Sequence, residues 1–301
     1  MSEDPIETLI GRWLEERLPP DGCRWLDGRL AALERADSDR ELHVTLGLVP
    51  RKLGRAELGL GAEELAAARR ARDGWDPSGW TVETAARALA LRRAAAARPE
   101  RFGELFRDLC RTADLAESLA LFAALPLLPY DEALDAQVGE GLRTNMRAVF
   151  EAIAHRNPYP RERFDVNRWN HMVLKALFVE SPLAPVQGLD ERANEELATI
   201  LLDYARERRA AGRPVTPELW RCVGPFARDA AIDDLVHALD GGAPRQREAA
   251  LLALAASPDP AAAAVLARHP DAAGRIAAGI LTWDTLVADG AGERPPQESA
   301  P

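Results

Sequence analysis

The chain is constrained most by a helical spacing of apolar residues that continues along almost its whole length. Short breaks that contain proline or glycine interrupt this spacing. Alanine and leucine occupy most of the apolar positions, and aromatic residues make up only 6% of the chain. Alanine, leucine, arginine and glutamate lose little side-chain freedom in a helix. The pattern therefore predicts an all-α fold built from antiparallel helix pairs.

The first helix is indicated by its start signals. Asp4 places a capping carboxylate before Pro5, which fits the first helical position, and Glu7 has the spacing of a capping box. The apolar stripe that follows consists of Ile6, Leu9, Ile10, Trp13 and Leu14. We expect residues 19–22, with two prolines and a glycine, to end this helix. A second helix is predicted from about residue 23 to residue 33.

Residues 41–50 are the one ambiguous stretch. Leucine or valine stands at every second position from Leu42 to Leu48, which is the spacing of a strand. No second strand is indicated nearby, and a strand without a partner is not stable. We therefore expect a short helix that runs into the segment Val49-Pro50-Arg51.

The C-terminal third has the most regular pattern. Helical stripes recur over residues 229–281, separated by breaks at 241–244 and 258–260. Short helix pairs of this kind are typical of an α-solenoid with a concave binding surface. We predict HEAT-like repeats here, and a degenerate version over 101–155, within one helical domain of residues 1–289. The proline- and glutamate-rich tail, 290–301, is expected to be disordered.

Charge and composition exclude several classes of function. The formal net charge is −10, which argues against the basic surface that nucleic-acid binding needs. No apolar run is long enough to cross a membrane, and the acidic N-terminus lacks a signal-peptide core. The three scattered cysteines, Cys23, Cys110 and Cys222, fit buried thiols in a reducing compartment. We therefore expect a cytoplasmic protein.

Residues 155–226 break the alanine and leucine pattern with polar and aromatic side chains. Asp165 is placed to cap a helix on which Arg168, His171 and Lys175 share one face. Trp169 lies on the opposite, apolar face. A basic face of this kind can bind a carboxylate or a phosphate. The alternative is an ordinary solvated or salt-bridged helix face.

Other chemistries are less well supported by the residues. A metal site would use His155, His171, Asp165 and Asp203, which lack a recognised ligand spacing. We predict no metal and name no cofactor. Arg221 could activate the neighbouring Cys222 as a nucleophile, although a buried, inert thiol is the simpler interpretation. The glycine-rich residues 54–61 lack the spacing of a phosphate-binding loop.

The same segment resembles the signature block of EboA-domain proteins, and the likeness covers roughly a quarter of the chain. Fainter similarities lie at Val49-Pro50-Arg51, at Trp80 and at Ala85-Ala86-Arg87. The stretches that carry the resemblance are Asn157-Pro158-Tyr159-Pro160, Phe164-Asp165, Trp169-Asn170, Val173-Leu174-Lys175-Ala176-Leu177-Phe178, Gly188-Leu189-Asp190, Arg192-Ala193-Asn194, Leu202-Asp203-Tyr204-Ala205, Glu207-Arg208 and Pro217-Glu218-Leu219-Trp220-Arg221.

The resemblance implies a biological context, a gene cluster, but it does not imply a reaction mechanism. EboA-type genes lie in ebo clusters linked to making or exporting a secondary metabolite, so the implied partners are other ebo proteins or a small anionic metabolite. The family brings no agreed catalytic residues. This chain has Arg206 and Arg209 where the family pattern has histidine and tryptophan, and His171 where glutamine is familiar. These departures argue against an obligatory histidine.

Three functions stay open at this point. An accessory binding protein would use Lys175, Arg168 and Arg221 for an anionic group, with Trp169 and Tyr159 against its apolar part. An enzyme on a small polar or phosphorylated metabolite would use Asp165, Asp203 or His171 as acid or base. A scaffold would use the segment only for packing. The candidate ligand-binding residues are Asn157, Tyr159, Asp165, Arg168, Trp169, Asn170, His171, Lys175, Asp203 and Arg221.

Overall fold

The computed structural model describes residues 4–36 and 38–286. Across these residues every regular element is a helix, and the only extended pairing is an isolated antiparallel bridge between Glu57 and Thr81. The all-α prediction is therefore confirmed. The chain divides into two compact units, Met1–Phe164 and Asp165–Pro301. The predicted tail, 290–301, lies outside the described residues.

The first unit contains ten α-helices among its described residues. A short 3-10 turn, Leu125–Leu127, follows the seventh of them. The helices are α1 (Pro5–Glu15), α2 (Pro20–Arg35), α3 (Arg40–Leu53), α4 (Ala62–Ala71), α5 (Val82–Ala97), α6 (Pro99–Thr112), α7 (Leu115–Ala123), α8 (Glu132–Arg143), α9 (Arg147–Ala154) and α10 (Tyr159–Arg163).

Helix α5 is the centre of the first unit. It packs against α1, α2, α3, α6 and α7. Alanines on several sides of α5 are buried, and their small side chains allow the neighbouring helices to approach closely. Thr81 begins the helix because its hydroxyl oxygen accepts from the Thr84 backbone N–H at 3.1 Å.

The N-terminal prediction is confirmed in its cap and wrong in two details. Asp4 caps α1 by accepting from the backbone N–H groups of Ile6 (2.9 Å) and Glu7 (3.3 Å). Glu7 closes no capping box, because its carboxylate pairs with Arg93 on α5. Helix α2 begins at Pro20, three residues before the predicted start. Proline at the first helical position needs no N–H partner, so it begins a helix here.

Residues 41–50 form part of α3, as expected, and the strand alternative is wrong. Leu42, Leu46, Val49 and Leu53 share the buried side of this helix. Pro50 lies inside α3 and has no N–H to donate to the Leu46 carbonyl. The buried Arg87 of α5 supplies the missing donor, since its Nε lies 3.1 Å from that oxygen.

The second unit is organised around α15. This helix packs against α13, α14, α16, α17 and a 3-10 turn, Gly224–Phe226, while α12 packs against α11 and α13. The predicted breaks at 241–244 and 258–260 separate helices, as expected. The helices are α11 (Val166–Phe178), α12 (Glu195–Ala210), α13 (Leu219–Val223), α14 (Ala230–Gly241), α15 (Pro244–Ala256), α16 (Pro260–Leu266) and α17 (Pro270–Ala277).

Candidate functional site

A cleft of about 440 Å³ opens in the first unit, between the start of α5, helices α7 and α9, and the turn that follows α9. We call it the Trp80 cleft. Its apolar wall consists of Trp80, Ala116, Leu119, Ala123, Ala148 and Ala152. Its polar lining consists of Arg55, Asp76, Thr81, Glu83, Thr84, Glu151, His155, Arg156 and Asn157, together with the backbone of Gly79.

The main chain of Trp80 is held by two hydrogen bonds. The Trp80 carbonyl accepts from Leu58 N–H at 2.9 Å, and its N–H donates to the Pro77 carbonyl at 3.0 Å. Its ring centroid lies 5.8 Å from that of Trp75, whose ring in turn lies 5.5 Å from that of Trp13. Trp80 alone lines the cleft, and its ring is supported by the buried indoles of Trp75 and Trp13.

Asn157 is a predicted site residue, and its amide shapes the turn at the edge of the cleft. Its Nδ2 donates to the carbonyls of Phe122 (3.0 Å) and Ala152 (3.1 Å), while its Oδ1 accepts from Tyr159 N–H at 3.0 Å. The amide thereby fixes the chain between α9 and α10. Asn157 is buried, so these bonds stabilise the turn that presents His155 and Arg156.

Arg156 lines the cleft and has a positive φ of 51°, a feature that it shares with Glu180 and Asp229 among the described non-glycine residues. That conformation costs a non-glycine residue about 1–3 kcal/mol and is most often found at functional sites. The side chain is exposed, and a Cβ placed on Gly79 would lie 3.9 Å from its Nη1. No ion pair joins Arg156 to another residue in the described part of the chain. Its charge is thus available to a ligand.

Carboxylates in and beside the cleft are paired with arginines. The buried Glu83 pairs with the buried Arg87 and with Arg55, whose Nε lies 3.3 Å from Glu83 Oε2. Arg87 also lies 3.8 Å from Glu117. On α9, Glu151 pairs with Arg147 at 2.7 Å. Most carboxylates of the cleft therefore have a cation of their own.

Tyr159, the second predicted site residue in the first unit, is buried beside α8. Its hydroxyl donates to Asp135 Oδ1 at 3.2 Å, and its ring meets Phe164 edge-on with centroids 6.2 Å apart. Burial and the Asp135 carboxylate raise the pKa of Tyr159 well above its usual value. The phenol therefore stays protonated and acts as a hydrogen-bond donor at neutral pH.

The other eight predicted residues lie in the second unit, and α11 carries five of them. Asp165 caps this helix, because its Oδ1 accepts from Arg168 N–H at 2.7 Å. The division into a buried and a polar side is confirmed: Trp169 is fully buried, whereas Arg168, His171 and Lys175 are not. Burial lowers the pKa of Lys175 below its ordinary value.

Two of the α11 residues contact the segment around the start of α12. Arg192 lies over the Trp169 ring, with its guanidinium carbon 4.7 Å from the centroid. Asn170 and Asn194 exchange amide hydrogen bonds of 2.9 and 3.3 Å. Asn194 also caps α12 by accepting from Leu197 N–H at 2.9 Å. The pair therefore connects α11 to the beginning of α12.

Asp203 lies on α12 and Arg221 lies on α13, and each of them forms a salt bridge. Asp203 lies 3.4 Å from Arg206 on α12. Arg221 on α13 makes a two-point contact with Asp190, at 2.6 and 2.7 Å, which raises the pKa of this guanidinium. The neighbouring Cys222 is buried, and burial raises its pKa to about 12. Cys222 therefore stays a thiol and is a poor nucleophile.

The Trp80 cleft was not predicted from the sequence. Asn157 was among the predicted ligand-binding residues, but Arg55, Trp80, Glu83 and Arg156 were not. These positions are far apart in the sequence, and no local pattern indicates that they converge. The one available signal was the polar turn at residues 155–157, where the helical spacing stops.

Two features are missing from the described residues. No group of three or more histidine, cysteine, aspartate or glutamate side chains is arranged there to hold a metal ion. Within the same residues, no helix is both long enough and apolar enough to cross a membrane.

Comparison with known proteins gives one match. The model of a family described as "Metabolite traffic protein EboA" matches residues 6–224, more than half of the chain. The match includes the Trp80 cleft and α11–α13. No curated protein and no solved structure matches the chain.

Proposed function

The chain belongs to the EboA family, and from that premise we propose that it is an accessory protein that binds a small metabolite and passes it on unchanged. The resemblance seen in the sequence is confirmed by the family match. The family's description as a metabolite traffic protein supports this role. The proposal includes an ebo-type secondary-metabolite pathway and a cytoplasmic location, with other ebo proteins as partners.

The Trp80 cleft is the observation that carries the proposal. Its volume of about 440 Å³ falls within the roughly 300–1,000 Å³ of typical small-molecule sites. An aromatic and aliphatic wall faces a few fixed polar groups, which is the usual composition of such sites. We propose that the apolar body of the ligand packs on Trp80 and the alanines. An anionic group of the ligand then meets Arg156.

The charged residues of the cleft favour ligand binding over catalysis. Glu83 is fixed between Arg87 and Arg55, and Glu151 is paired with Arg147. Both carboxylates are thus held by guanidinium groups, so neither is free to act as a general base towards a ligand. Arg156, by contrast, lines the cleft with an exposed side chain and forms no ion pair among the described residues, so it can meet an anionic group of the ligand.

The test is native mass spectrometry of the protein purified from a host that carries its own gene cluster. Arg156→Gly removes the guanidinium and relieves the left-handed backbone, so the fold is retained. Glu180→Gly is the matched control, because Glu180 also has a positive φ, of 56°, and does not line the cleft. We expect a co-purifying small molecule with the wild type and Glu180→Gly, and its loss with Arg156→Gly.

Two results would contradict the proposal. One is a wild-type protein that carries no small molecule when its own cluster is expressed. The other is a small molecule that Arg156→Gly retains as fully as Glu180→Gly does. Thermal unfolding of both variants shows that each is folded, so a loss of ligand is not a loss of structure.

A second candidate function is partner binding through α11. Phe178 at the end of this helix is 75% exposed, and Val166 at its start is 50% exposed. Exposed apolar side chains beside the cation Lys175 suit a contact with another protein. A stoichiometric complex with a second cluster protein in the same spectra, lost with Phe178→Ser, would support this function.

We also propose that α14–α17 are the HEAT-like part of the chain. Helix α14 packs against α15, and α15 packs against both α16 and α17, so that each helix buries its apolar side on near neighbours in the sequence. This arrangement supports the repeat prediction for residues 229–281.

A further inference from the structure

Two opposite charges in the Trp80 cleft have no salt-bridge partner among the residues that the structure describes. They are the carboxylate of Asp76 and the guanidinium of Arg156, and both side chains line the cleft. Arg156 is exposed, whereas Asp76 is half-buried. The remaining acidic and arginine side chains of the lining, Arg55, Glu83 and Glu151, each form a salt bridge. The lining therefore leaves one carboxylate and one guanidinium for a ligand.

The two charges lie near each other in the cleft. The Arg156 guanidinium lies beside Gly79, because a Cβ on that glycine would be 3.9 Å from its Nη1. Asp76 comes three residues before Gly79, and even a fully extended chain of that length spans only about 11 Å. The chain turns here, since the Trp80 N–H donates to the Pro77 carbonyl at 3.0 Å. One small molecule can therefore reach both charges.

The carboxylate of Asp76 is held in place by its own turn. Its Oδ1 accepts from the Ser78 N–H at 3.1 Å, a bond by which aspartate commonly fixes a turn. Its Oδ2 has no hydrogen bond among the described residues. Because the side chain is half-buried, its charge is screened less than that of a fully exposed carboxylate. Asp76 is therefore a positioned acceptor for a cationic group.

One unpaired charge of each sign fits a ligand that carries both signs. We propose that the metabolite of the Trp80 cleft is a zwitterion with an ammonium and a carboxylate group, as in an amino acid. The ammonium donates to Asp76, the carboxylate accepts from Arg156, and the apolar body packs against Leu119 and the alanines of the wall. This inference rests on the proposed function and names the class of metabolite.

Ligands with a charge of one sign fit the cleft less well. A phosphate monoester carries a charge of about −1.5 to −2 at neutral pH, which would lie beside the unpaired carboxylate of Asp76. An amine without an acid would lie beside Arg156 and leave its guanidinium unpaired. A carboxylate suits the planar guanidinium, which can donate two parallel hydrogen bonds to it.

Three probes with the same phenyl ring separate the two charges of the ligand. L-Phenylalanine carries both groups, 3-phenylpropionate lacks the ammonium, and 2-phenylethylamine lacks the carboxylate. We expect phenylalanine to bind in titrations followed by ligand-observed NMR. Each of the other two is expected to bind roughly tenfold or more weakly, because each loses one charge-assisted hydrogen bond.

Asp76→Asn tests the carboxylate. The asparagine oxygen can still accept from the Ser78 N–H, so the turn is retained. We expect the variant to bind phenylalanine roughly tenfold or more weakly than the wild type does, and to bind 3-phenylpropionate no less well. Asp27→Asn is the matched control, because Asp27 is exposed on α2 and does not line the cleft. It is expected to leave the affinities of all three probes unchanged.

Gly79 offers a test of the guanidinium that leaves Arg156 in place. Gly79 has no positive φ, and Arg156 Nη1 at 3.9 Å is in ordinary contact distance of an added Cβ, so a side chain fits there. Gly79→Asp places a carboxylate beside Arg156 that competes with the carboxylate of the ligand. Gly79→Asn adds a side chain of the same size without the charge. We expect Gly79→Asp to weaken phenylalanine and 3-phenylpropionate more than Gly79→Asn does, and equal effects would contradict the contact with Arg156.

Other results overturn the zwitterion and leave metabolite binding in place. One is binding of 3-phenylpropionate as tight as that of phenylalanine, which would assign the cleft to a simple anion. Another is a co-purified metabolite that Asp76→Asn retains and Arg156→Gly loses in native mass spectra. Absence of phenylalanine binding at millimolar concentration also overturns the zwitterion, whereas the native mass spectra of the wild type decide metabolite binding independently.

Discussion

At the level of single residues, Arg87 has the most consequential set of contacts. It is buried in α5, where its Nε donates to the Leu46 carbonyl at 3.1 Å and its Nη1 pairs with Glu83. The Leu46 carbonyl needs this donor because Pro50 lies four residues further along α3 and has no N–H. One side chain thus compensates for a proline inside a helix and balances a buried carboxylate.

We therefore expect Arg87→Met to cost about 3–5 kcal/mol, since it leaves Glu83 buried and the Leu46 carbonyl unpaired. Urea unfolding followed by circular dichroism measures this loss. Arg107→Met on the exposed side of α6 is the control, expected to change stability by less than about 0.5 kcal/mol. A loss below about 1 kcal/mol for Arg87→Met would mean that the pair adds little to the fold.

At the level of elements, close packing of the 3-10 turn on α15 makes a glycine necessary. A Cβ on Gly224 would lie 2.8 Å from the backbone Cα and oxygen of Ala253, and neither atom can move alone. Gly224→Ala should therefore cost about 1–3 kcal/mol by overpacking. Gly274→Ala, on α17 where a Cβ meets nothing within 4 Å, should gain about 0.5–1 kcal/mol. Equal effects of the two changes in urea unfolding would contradict this account.

Elements were predictable from the sequence where the signal was local. The start of α1 was predicted because Asp4 stands directly before Pro5, and its carboxylate does accept from two backbone N–H groups of the first turn. The Asp165 cap of α11 was predicted for the same kind of reason. The start of α2 was missed because Pro20 is a breaker inside a helix but a favoured residue at its first position.

The candidate site was far less predictable, because it depends on contacts between distant parts of the chain. Arg55, in the loop before α4, and Arg156, in the turn after α9, both line the Trp80 cleft. The left-handed backbone of Arg156 has no signature in residue type, since glycine is the residue usually found there. Asn157 was singled out by its family resemblance, but its role in fixing the turn required the structure.

At the level of the whole molecule, each unit contains a carboxylate whose pKa is lowered in the folded chain, and its ionised form stabilises the fold. In the first unit, burial alone would raise the pKa of Glu162, but the hydrogen bonds and charge of Arg72, together with Arg161, lower it below 4.5. In the second unit, the backbone N–H groups of Ala261 and Asp229 lower the pKa of Asp259 below 3.8. Such carboxylates favour the folded state only while they are ionised.

The sign of the pH dependence follows from these directions. A pKa that is lower in the folded chain contributes stability that is fully present above the unfolded value and is lost as pH falls through the folded one. We therefore expect the free energy of unfolding to be nearly constant from neutral pH down to about 5 and to fall below about 4.5. Acid unfolding followed by circular dichroism measures the midpoint.

Arg72→Met tests the cause directly. It removes the two contacts of Arg72 with Glu162, at 3.0 and 2.5 Å, so the pKa of Glu162 rises towards its ordinary value. The variant should be less stable than the wild type at neutral pH. The part of this loss that is due to Glu162 should disappear at a pH where the Glu162 carboxyl group is protonated in both proteins. The two stability curves should therefore converge as pH falls, whereas Arg107→Met follows the wild type throughout. Parallel curves for Arg72→Met would instead assign its effect to the Arg72 hydrogen bond to the Pro126 carbonyl, which does not titrate.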